Sequence, residues 1–210
     1  MRYDPAAFER ALGELLQVDP SLRGSSAYRY DLTDVTRQVL SNRSRRLLPR
    51  IRSAYEAKDR ARFDELTGRW LRWMKLMDAA LATNEHFLLG PWLADARGWG
   101  SSDAERAALE YDARSLITVW GSAEAARSLH DYANREWAGL VGDYYYSRWK
   151  HYFDELDASL ATGRGAAGID WAEFGDAWAH RRNEYPTEPA GEIHEVAQRV
   201  LEELSRVGQD

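Results

Sequence analysis

Apolar residues recur at three- and four-residue steps along almost the whole chain, which is the spacing of amphipathic α-helices. Sustained apolar and polar alternation is missing and β-branched residues are few, so the pattern does not favour β-strands. It predicts an all-α fold, a bundle of about seven to eight helices with several long members and short connections. We expect residues 1–210 to form a single helical domain.

Capping residues and prolines divide this pattern into segments. Asp4 followed by Pro5 marks the start of the first helix, Asp59 that of the third, Asn84 that of a short one, and Ser102 or Asp103 that of the next. Pro49 is expected to kink or split the second helix. The stretch "WGSAEAARSLH" reads as a turn-rich insertion. The other predicted helices cover about residues 27–57, 59–81, 104–119, 131–161, 170–184 and 190–206.

The segment "DYANREWAGLVGDYYYSRWKHYF", residues 131–153, carries eight aromatic rings and two glycines. We expect one helix that begins at Asp131. Gly139 and Gly142 each cost roughly 1 kcal/mol inside a helix, so they indicate that another part of the chain approaches closely. Rings on several sides indicate either a central core helix or a helix with a second, ligand-binding or partner-binding face. The pattern leaves both open.

Composition narrows the possible functions. The 210 residues include no cysteine, which excludes disulfides and thiolate metal sites. A net charge of −6 argues against general nucleic-acid binding, and the basic stretch "NRSRRLLPRIR" favours a solvated face or a docking surface instead. Apolar runs are shorter than the roughly 18 residues that a membrane span needs, and the N-terminus lacks signal-peptide features.

Motifs that carry chemistry by themselves are not found. The five histidines lack metal-ligand spacing, no G-x-S-x-G occurs, and no cofactor is expected. Asp31 and Asp34 share a predicted helix face, as do Asp154 and Asp157. Glycosidases need two carboxyl groups across a sugar bond, which neighbours on one helix do not supply. These carboxylates therefore indicate surface charge or pairs with arginines such as Arg37.

Three stretches in the same order, "FLLGPWLADAR", "LITVWG" and "LHDYANREWAGLVGDYYYSRW", resemble the C-terminal all-helical domain of the α-N-acetylglucosaminidase family of glycoside hydrolases. The likeness extends over nearly the whole chain. Members of this family release terminal α-linked N-acetylglucosamine, as in heparan sulfate degradation, and are secreted, periplasmic or lysosomal. The compartment of this chain stays open.

The resemblance implies that this domain packs on a (β/α)8 catalytic barrel and helps to wall the pocket for terminal α-linked N-acetylglucosamine. The implied partners are that barrel and an N-acetylglucosamine-containing glycan. The barrel and its two catalytic glutamates have no counterpart in this sequence, so no catalytic residue is assigned and no activity is expected of the chain alone. The alternative is a free-standing helical carbohydrate- or protein-binding module derived from the same domain.

Matching motif positions imply site residues as well. Trp120, followed by Gly121, is expected to line the sugar pocket with Tyr132 and Asn134, and Arg114 is expected to brace Trp120 as structural support.

Arg148 and Trp149 are implied to be structural anchors, with the arginine stacked on rings or paired with a carboxylate. The sequence departs from the family pattern at Ser147, where some relatives have proline, and at Trp137, where a smaller aliphatic residue is usual. Both departures affect the fine packing that we expect.

Overall fold

The computed structural model describes residues 3–121, 123–129 and 131–207. Over these ranges the chain is all-α, with nine α-helices and no β-strand. The α-helices are α1 Pro5–Leu15, α2 Ser26–Glu56, α3 Arg60–Leu81, α4 Leu89–Gly98, α5 Asp103–Leu116, α6 Ala123–Leu129, α7 Tyr146–Thr162, α8 Trp171–Ala179 and α9 Ile193–Val207. Short 3-10 helices cover Pro20–Leu22 and Glu85–Phe87, and a π-helix covers Leu140–Tyr145.

The main core lies between α2 and α3, with α1, α7 and α9 packed around them. Leu32, Leu40 and Phe63 are buried at its centre. Helix α2 runs 31 residues through Pro49, so of the two predicted effects, a kink or a split, the split does not occur. Pro49 lies on the exposed side of α2, where water can bind the carbonyl group that the missing N–H leaves free.

The capping residues act as the sequence predicted. The Asp4 carboxylate accepts the N–H of Ala6 at 2.9 Å, and Asp59 accepts the N–H of Arg62 at 3.0 Å. Of the two residues predicted to cap α5, Ser102 does so, and its hydroxyl accepts the Glu105 N–H at 3.2 Å. These contacts join residues two or three positions apart, so they follow directly from the local sequence.

The stretch predicted to be a turn-rich insertion contains helix α6, so that prediction is wrong there. Its sequence, AEAARSL, is rich in alanine, glutamate, arginine and leucine, which are strong helix formers. Arg127 of α6 pairs at 3.2 Å with Asp170, which also caps the start of α8. This contact joins the short helix to the bundle.

The aromatic segment is not one helix from Asp131, as the sequence predicted. Residues 131–139 precede the helical part, which begins as a π-helix at Leu140 and continues as α7. The N–H of Ala138 donates to the Phe87 carbonyl at 2.7 Å, and the N–H of Leu89 donates to the Ala138 carbonyl at 3.1 Å. These two bonds occupy the N–H and carbonyl groups of Ala138, which therefore do not take part in the hydrogen bonds of a helix.

A carboxylate from α3 holds the start of the π-helix. One oxygen of Asp78 accepts the N–H of Gly139 at 2.8 Å and the N–H of Gly142 at 2.7 Å. Both glycines are needed for this approach. Gly139 has φ +90°, and a Cβ at Gly142 would lie 2.4 Å from an oxygen of Asp78. Burial raises the pKa of the Asp78 carboxyl, against the opposing effect of its two N–H donors.

A second, smaller core joins the π-helix to α4, α5 and α8. It is built from buried side chains that include Leu89, Leu93, Leu140, Tyr144 and Trp178. Leu140 and Tyr144 of this core belong to residues 131–153, the segment that also holds the predicted site residues Tyr132, Asn134, Arg148 and Trp149.

None of the helices in the described ranges combines the length and the apolar character that crossing a bilayer requires.

Candidate functional site

The rings of Trp120 and Tyr132 stack against each other at the surface. Their centroids are 4.6 Å apart and their planes are inclined by 34°. Tyr132 is 68% exposed, one of the most exposed large aromatic side chains in the described ranges, and Trp120 is half-buried. The structure therefore brings two of the three predicted substrate-binding residues together, with aromatic surface open to solvent.

The backbone at Trp120 is strained. Its φ of +56° lies in the left-handed region, which costs an L-residue about 1–2 kcal/mol, and Gly121 continues with φ +133°. The Trp120 N–H donates to the Ser115 carbonyl at 2.7 Å, which fixes the turn after α5. Strain of this kind clusters at binding and catalytic sites.

An ion-pair network holds the residue next to Tyr132. The Arg148 guanidinium donates to the carboxylate of Asp131 and, at 2.9 Å, to the hydroxyl of Tyr144. The Tyr144 hydroxyl donates to Asp131 at 3.2 Å, and burial raises the pKa of this phenol well above its usual range, so it remains a donor. The network fixes the start of the segment that carries the exposed ring.

Arg148 is also held by aromatic faces. Its guanidinium lies 4.8 Å from the ring centre of Trp171 and 5.3 Å from that of Tyr144. These distances are within the range of cation–π attraction. Arg148 thus combines ring stacking with a carboxylate partner, and its side chain is only 18% exposed.

Trp149 has the contacts of a core residue. Its ring centre lies 4.4 Å from that of Trp70 and 5.4 Å from that of Phe153, within the core between α2, α3 and α7. Trp137, which with Ser147 departs from the family pattern, has its ring centre 6.0 Å from that of Trp92. Both rings fill space between helices.

Arg114 is fully buried in the second core. Its guanidinium donates to the Glu110 carboxylate at 2.7 and 2.9 Å and to the Asn183 carbonyl at 2.7 Å. It also lies over the rings of Trp178 and Tyr185, at 4.8 and 5.5 Å. Trp120 is not among these described partners, so the predicted bracing of Trp120 stays a prediction.

Asn134 is exposed and lies apart from the ring pair. It lines two adjoining cavities of about 470 and 310 Å³, together with Arg45, Arg135 and Glu136. The three residues that the sequence grouped as substrate-binding therefore occupy two places. The two-residue step from Tyr132 to Asn134 falls in a non-helical stretch, and sequence could not show which way each side chain points.

Two cavities meet at the Arg148 network. A groove of about 760 Å³ runs between α2 and α7, and a cavity of about 450 Å³ lies between α6 and α8. Asp131, Arg148 and Trp171 line both. Sequence reasoning missed Asp131 and Trp171. The first stands beside Tyr132 within the recognised motif, whereas Trp171 follows a glycine-rich loop and gives no local signal.

The carboxylates considered for chemistry are mostly in ion pairs. The pairs and their distances are Asp34 with Arg37 at 2.6 Å, Asp154 with Lys150 at 2.6 Å and Asp157 with Arg60 at 2.7 Å. Within the described part of the chain, His, Cys, Asp and Glu side chains form no group of three or more that could hold a metal ion.

The fold places this chain among all-α domains, with an exposed aromatic pair as its main candidate for ligand contact. Comparison with known proteins then gives the family. Residues 1–203 match the family model described as the alpha-N-acetylglucosaminidase (NAGLU) C-terminal domain. The chain belongs to this family, which confirms the resemblance found in the sequence.

Individual relatives agree with this assignment. Human alpha-N-acetylglucosaminidase is 33% identical over 192 residues, which cover 89% of this chain and 25% of the human protein.

A family 89 glycoside hydrolase from Clostridium perfringens, in complex with 2-acetamido-1,2-dideoxynojirmycin, matches with a TM-score of 0.94 at 33% identity, over 100% of this chain and 25% of that one. A variant of that enzyme with two glutamate-to-glutamine substitutions, in complex with GlcNAc-alpha-1,4-galactose, matches with a TM-score of 0.91 at 33% identity, over 96% of this chain and 24% of that one. The chain therefore spans about a quarter of the length of these relatives.

Proposed function

We propose that residues 1–210 act as one helical domain that docks on the catalytic barrel of an α-N-acetylglucosaminidase and completes the pocket for terminal α-linked N-acetylglucosamine. The surface around Trp120 and Tyr132 faces the barrel and the sugar. The domain has no turnover by itself. Membership of the family supports this proposal, because its relatives are about four times longer than the matched region.

The ring pair is the observation that carries the proposal. Pyranose sugars present flat C–H faces that pack on aromatic rings, and Tyr132 offers a ring that is 68% exposed. The ring of Trp120 packs against the ring of Tyr132, with the two centroids 4.6 Å apart. A left-handed tryptophan is costly, and strained conformations of this kind cluster at binding and catalytic sites.

The Arg148 network contributes preorganisation. Asp131 precedes Tyr132 directly and is held by Arg148 and Tyr144. A ring that is fixed before the sugar arrives loses less conformational entropy on binding than a mobile one. Arg148 thus acts on the sugar through Asp131 and Tyr132, as a positioning residue.

The chemical step belongs to the barrel in this proposal. A retaining glycosidase performs a double displacement with two carboxyl groups about 5 Å apart on opposite sides of the bond. Asp131 is committed to Arg148, and Asp34, Asp154 and Asp157 are paired with basic side chains. The described contacts of these carboxylates are those of structural ion pairs.

The first experiment assays this chain alone with an aryl α-N-acetylglucosaminide. We expect no hydrolysis. Turnover that disappears when one of the chain's own carboxylates is replaced would overturn the assignment of the chemistry to the barrel.

The second experiment uses an α-N-acetylglucosaminidase in which this domain is joined to its barrel. Trp120→Ala and Tyr132→Ala should each lower kcat/KM by about tenfold or more, as expected for the loss of a stacking contact of about 1.4 kcal/mol. Tyr30→Ala is the matched control, because Tyr30 is also exposed and also stacks on a ring, that of Phe87 at 5.3 Å. Unchanged kinetics in both site variants would show that the two rings only pack and do not contact the sugar.

A further inference from the structure

The arginine-rich stretch of α2 is not explained by the proposed function. Two of its arginines are in ion pairs, Arg43 with Glu9 at 2.6 Å and Arg52 with Glu56 at 2.7 Å. For Arg45, Arg46 and Arg50, no carboxylate of the described residues lies within the 4.0 Å of an ion pair. Of these three arginines, Arg45 lines the two cavities beside Asn134.

Arg45 faces the same cavities as a second unpaired arginine. Arg135, from the loop before the π-helix, lines both the 470 Å³ and the 310 Å³ cavity with Arg45. Among the described residues, its guanidinium donates to nearby backbone carbonyls, those of Ala133 at 3.1 Å and Asn134 at 2.9 Å. We call these two adjoining cavities the Arg45–Arg135 site.

The carboxylate of Glu136, which lines both cavities, already has partners within the protein. Glu136 accepts from the guanidinium of Arg37 and, at 3.3 Å, from the hydroxyl of Ser41. The charges of Arg45 and Arg135 therefore remain uncompensated, although the whole chain has a net charge of −6. Two uncompensated guanidinium groups at one concave surface attract an anion.

One wall of the smaller cavity is apolar. It includes Trp70, Trp73, Met74 and Met77. The indole nitrogens of Trp70 and Trp73 are buried, so these side chains present carbon surface to the cavity. The guanidinium groups of Arg45 and Arg135 can donate hydrogen bonds but cannot accept them. The site therefore suits a ligand that has an apolar part and hydrogen-bond acceptors.

We propose that the Arg45–Arg135 site binds a small molecule through an oxyanion group, a carboxylate or a sulfate. Arg45 and Arg135 give charge-assisted hydrogen bonds to its oxygens, Asn134 and the hydroxyl of Ser44 add neutral ones, and the tryptophan wall packs on its apolar part. The cavity volumes suit a ligand of about the size of one sugar ring. This site is separate from the Trp120–Tyr132 pair and does not depend on the proposed function.

The test is a titration of this chain followed by tryptophan fluorescence, because four of the lining residues are tryptophans, Trp70, Trp73, Trp137 and Trp149. The probes are D-glucuronate, D-glucose as its neutral match, and inorganic sulfate, all at constant ionic strength. We expect saturable binding of glucuronate or sulfate and none of glucose. Arg45→Gln and Arg135→Gln should each raise the Kd of the bound anion about tenfold, as expected for the loss of one charge-assisted hydrogen bond.

Arg46→Gln is the matched control, because Arg46 is an exposed neighbour on the same helix and does not line either cavity. It should leave Kd unchanged, and thermal melting should show that all three exposed-arginine variants are folded. Binding of glucose as tight as that of glucuronate would overturn the proposal. An equal effect of Arg46→Gln, or no saturable binding of either anion, would overturn it as well.

Discussion

The carboxylate of Asp78, on α3, accepts the backbone N–H of Gly142 at 2.7 Å, although the two residues are 64 positions apart. The first N–H groups of any helix lack partners within the helix, and here a residue of another helix supplies one. Lys75, one turn earlier on α3, donates to the Gly142 carbonyl at 2.8 Å. Helix α3 therefore fixes the point at which the aromatic segment becomes helical.

Replacing Gly142 with alanine should destabilise the fold. The new Cβ would lie 2.4 Å from an oxygen of Asp78, so the carboxylate must move away from its two N–H donors. We expect the free energy of unfolding in urea to fall by about 1–3 kcal/mol. Gly13→Ala in α1 is the control. No atom lies within 4 Å of its added Cβ, so it should be neutral or stabilise by up to about 1 kcal/mol.

Asp78 should also give the protein a characteristic pH dependence. Its pKa is raised in the folded state, so the folded protein binds the proton more tightly than the unfolded chain does. Relative to Asp78→Asn, the wild type should therefore gain stability as the pH falls from 7 through the folded pKa towards the ordinary value. Urea unfolding of both proteins at several pH values measures this difference.

The asparagine variant keeps an oxygen acceptor, so its loss of stability at pH 7 should be small. Asp78→Ala leaves two backbone donors without a partner and should cost about 1–3 kcal/mol. A pH-independent difference between wild type and Asp78→Asn would contradict the raised pKa.

The ion pair of Arg148 and Asp131 should show energetic coupling. A double-mutant cycle with Arg148→Met and Asp131→Asn should give an interaction energy of about 0.5–3 kcal/mol, because the two side chains share one network and are largely shielded from water. Arg148→Lys should not restore the wild-type stability, since an ammonium group cannot stack on Trp171 as a guanidinium does. A coupling energy within error of zero would show that the pair is not part of the support for Tyr132.

The strain at Trp120 can be measured by comparing two variants. Trp120→Gly and Trp120→Ala both remove the ring, but only glycine adopts φ +56° without steric cost. The glycine variant should therefore be more stable than the alanine variant by about 1–2 kcal/mol in urea unfolding. Equal stabilities would mean that the left-handed conformation is not retained in solution.

Arg114 should be far more important for stability than an arginine at the surface of the same helix. Arg114→Met leaves Glu110 buried with only Arg97, at 3.3 Å, as a basic partner, and it should cost about 3–5 kcal/mol. Arg106→Met is the control, because the Arg106 pair with Asp103 is exposed and should cost about 1 kcal/mol or less. Similar losses in the two variants would contradict the structural role of the buried pair.

Much of the helical architecture could be predicted because its signals are local. Asp4, Asp59 and Ser102 cap helices through bonds to residues two or three positions away. The α3 stripe that includes Phe63, Leu66 and Trp70 follows the helical period and is buried. The pairing of Trp120 with Tyr132 was within reach only through the resemblance to the family, since no local rule joins residues 12 positions apart across a helix.

The sequence by itself determined that the chain is all-α, where most of its helices begin, and to which family it belongs. Tertiary structure alone decided that residues 131–139 stay outside the helix, that Asn134 and Tyr132 serve different surfaces, and that Trp171 completes the shell around Arg148. The physical reason is the range of the interactions. Caps and periodicity act within a few residues, whereas Asp78, Phe87 and Trp171 reach this segment only after the chain has folded.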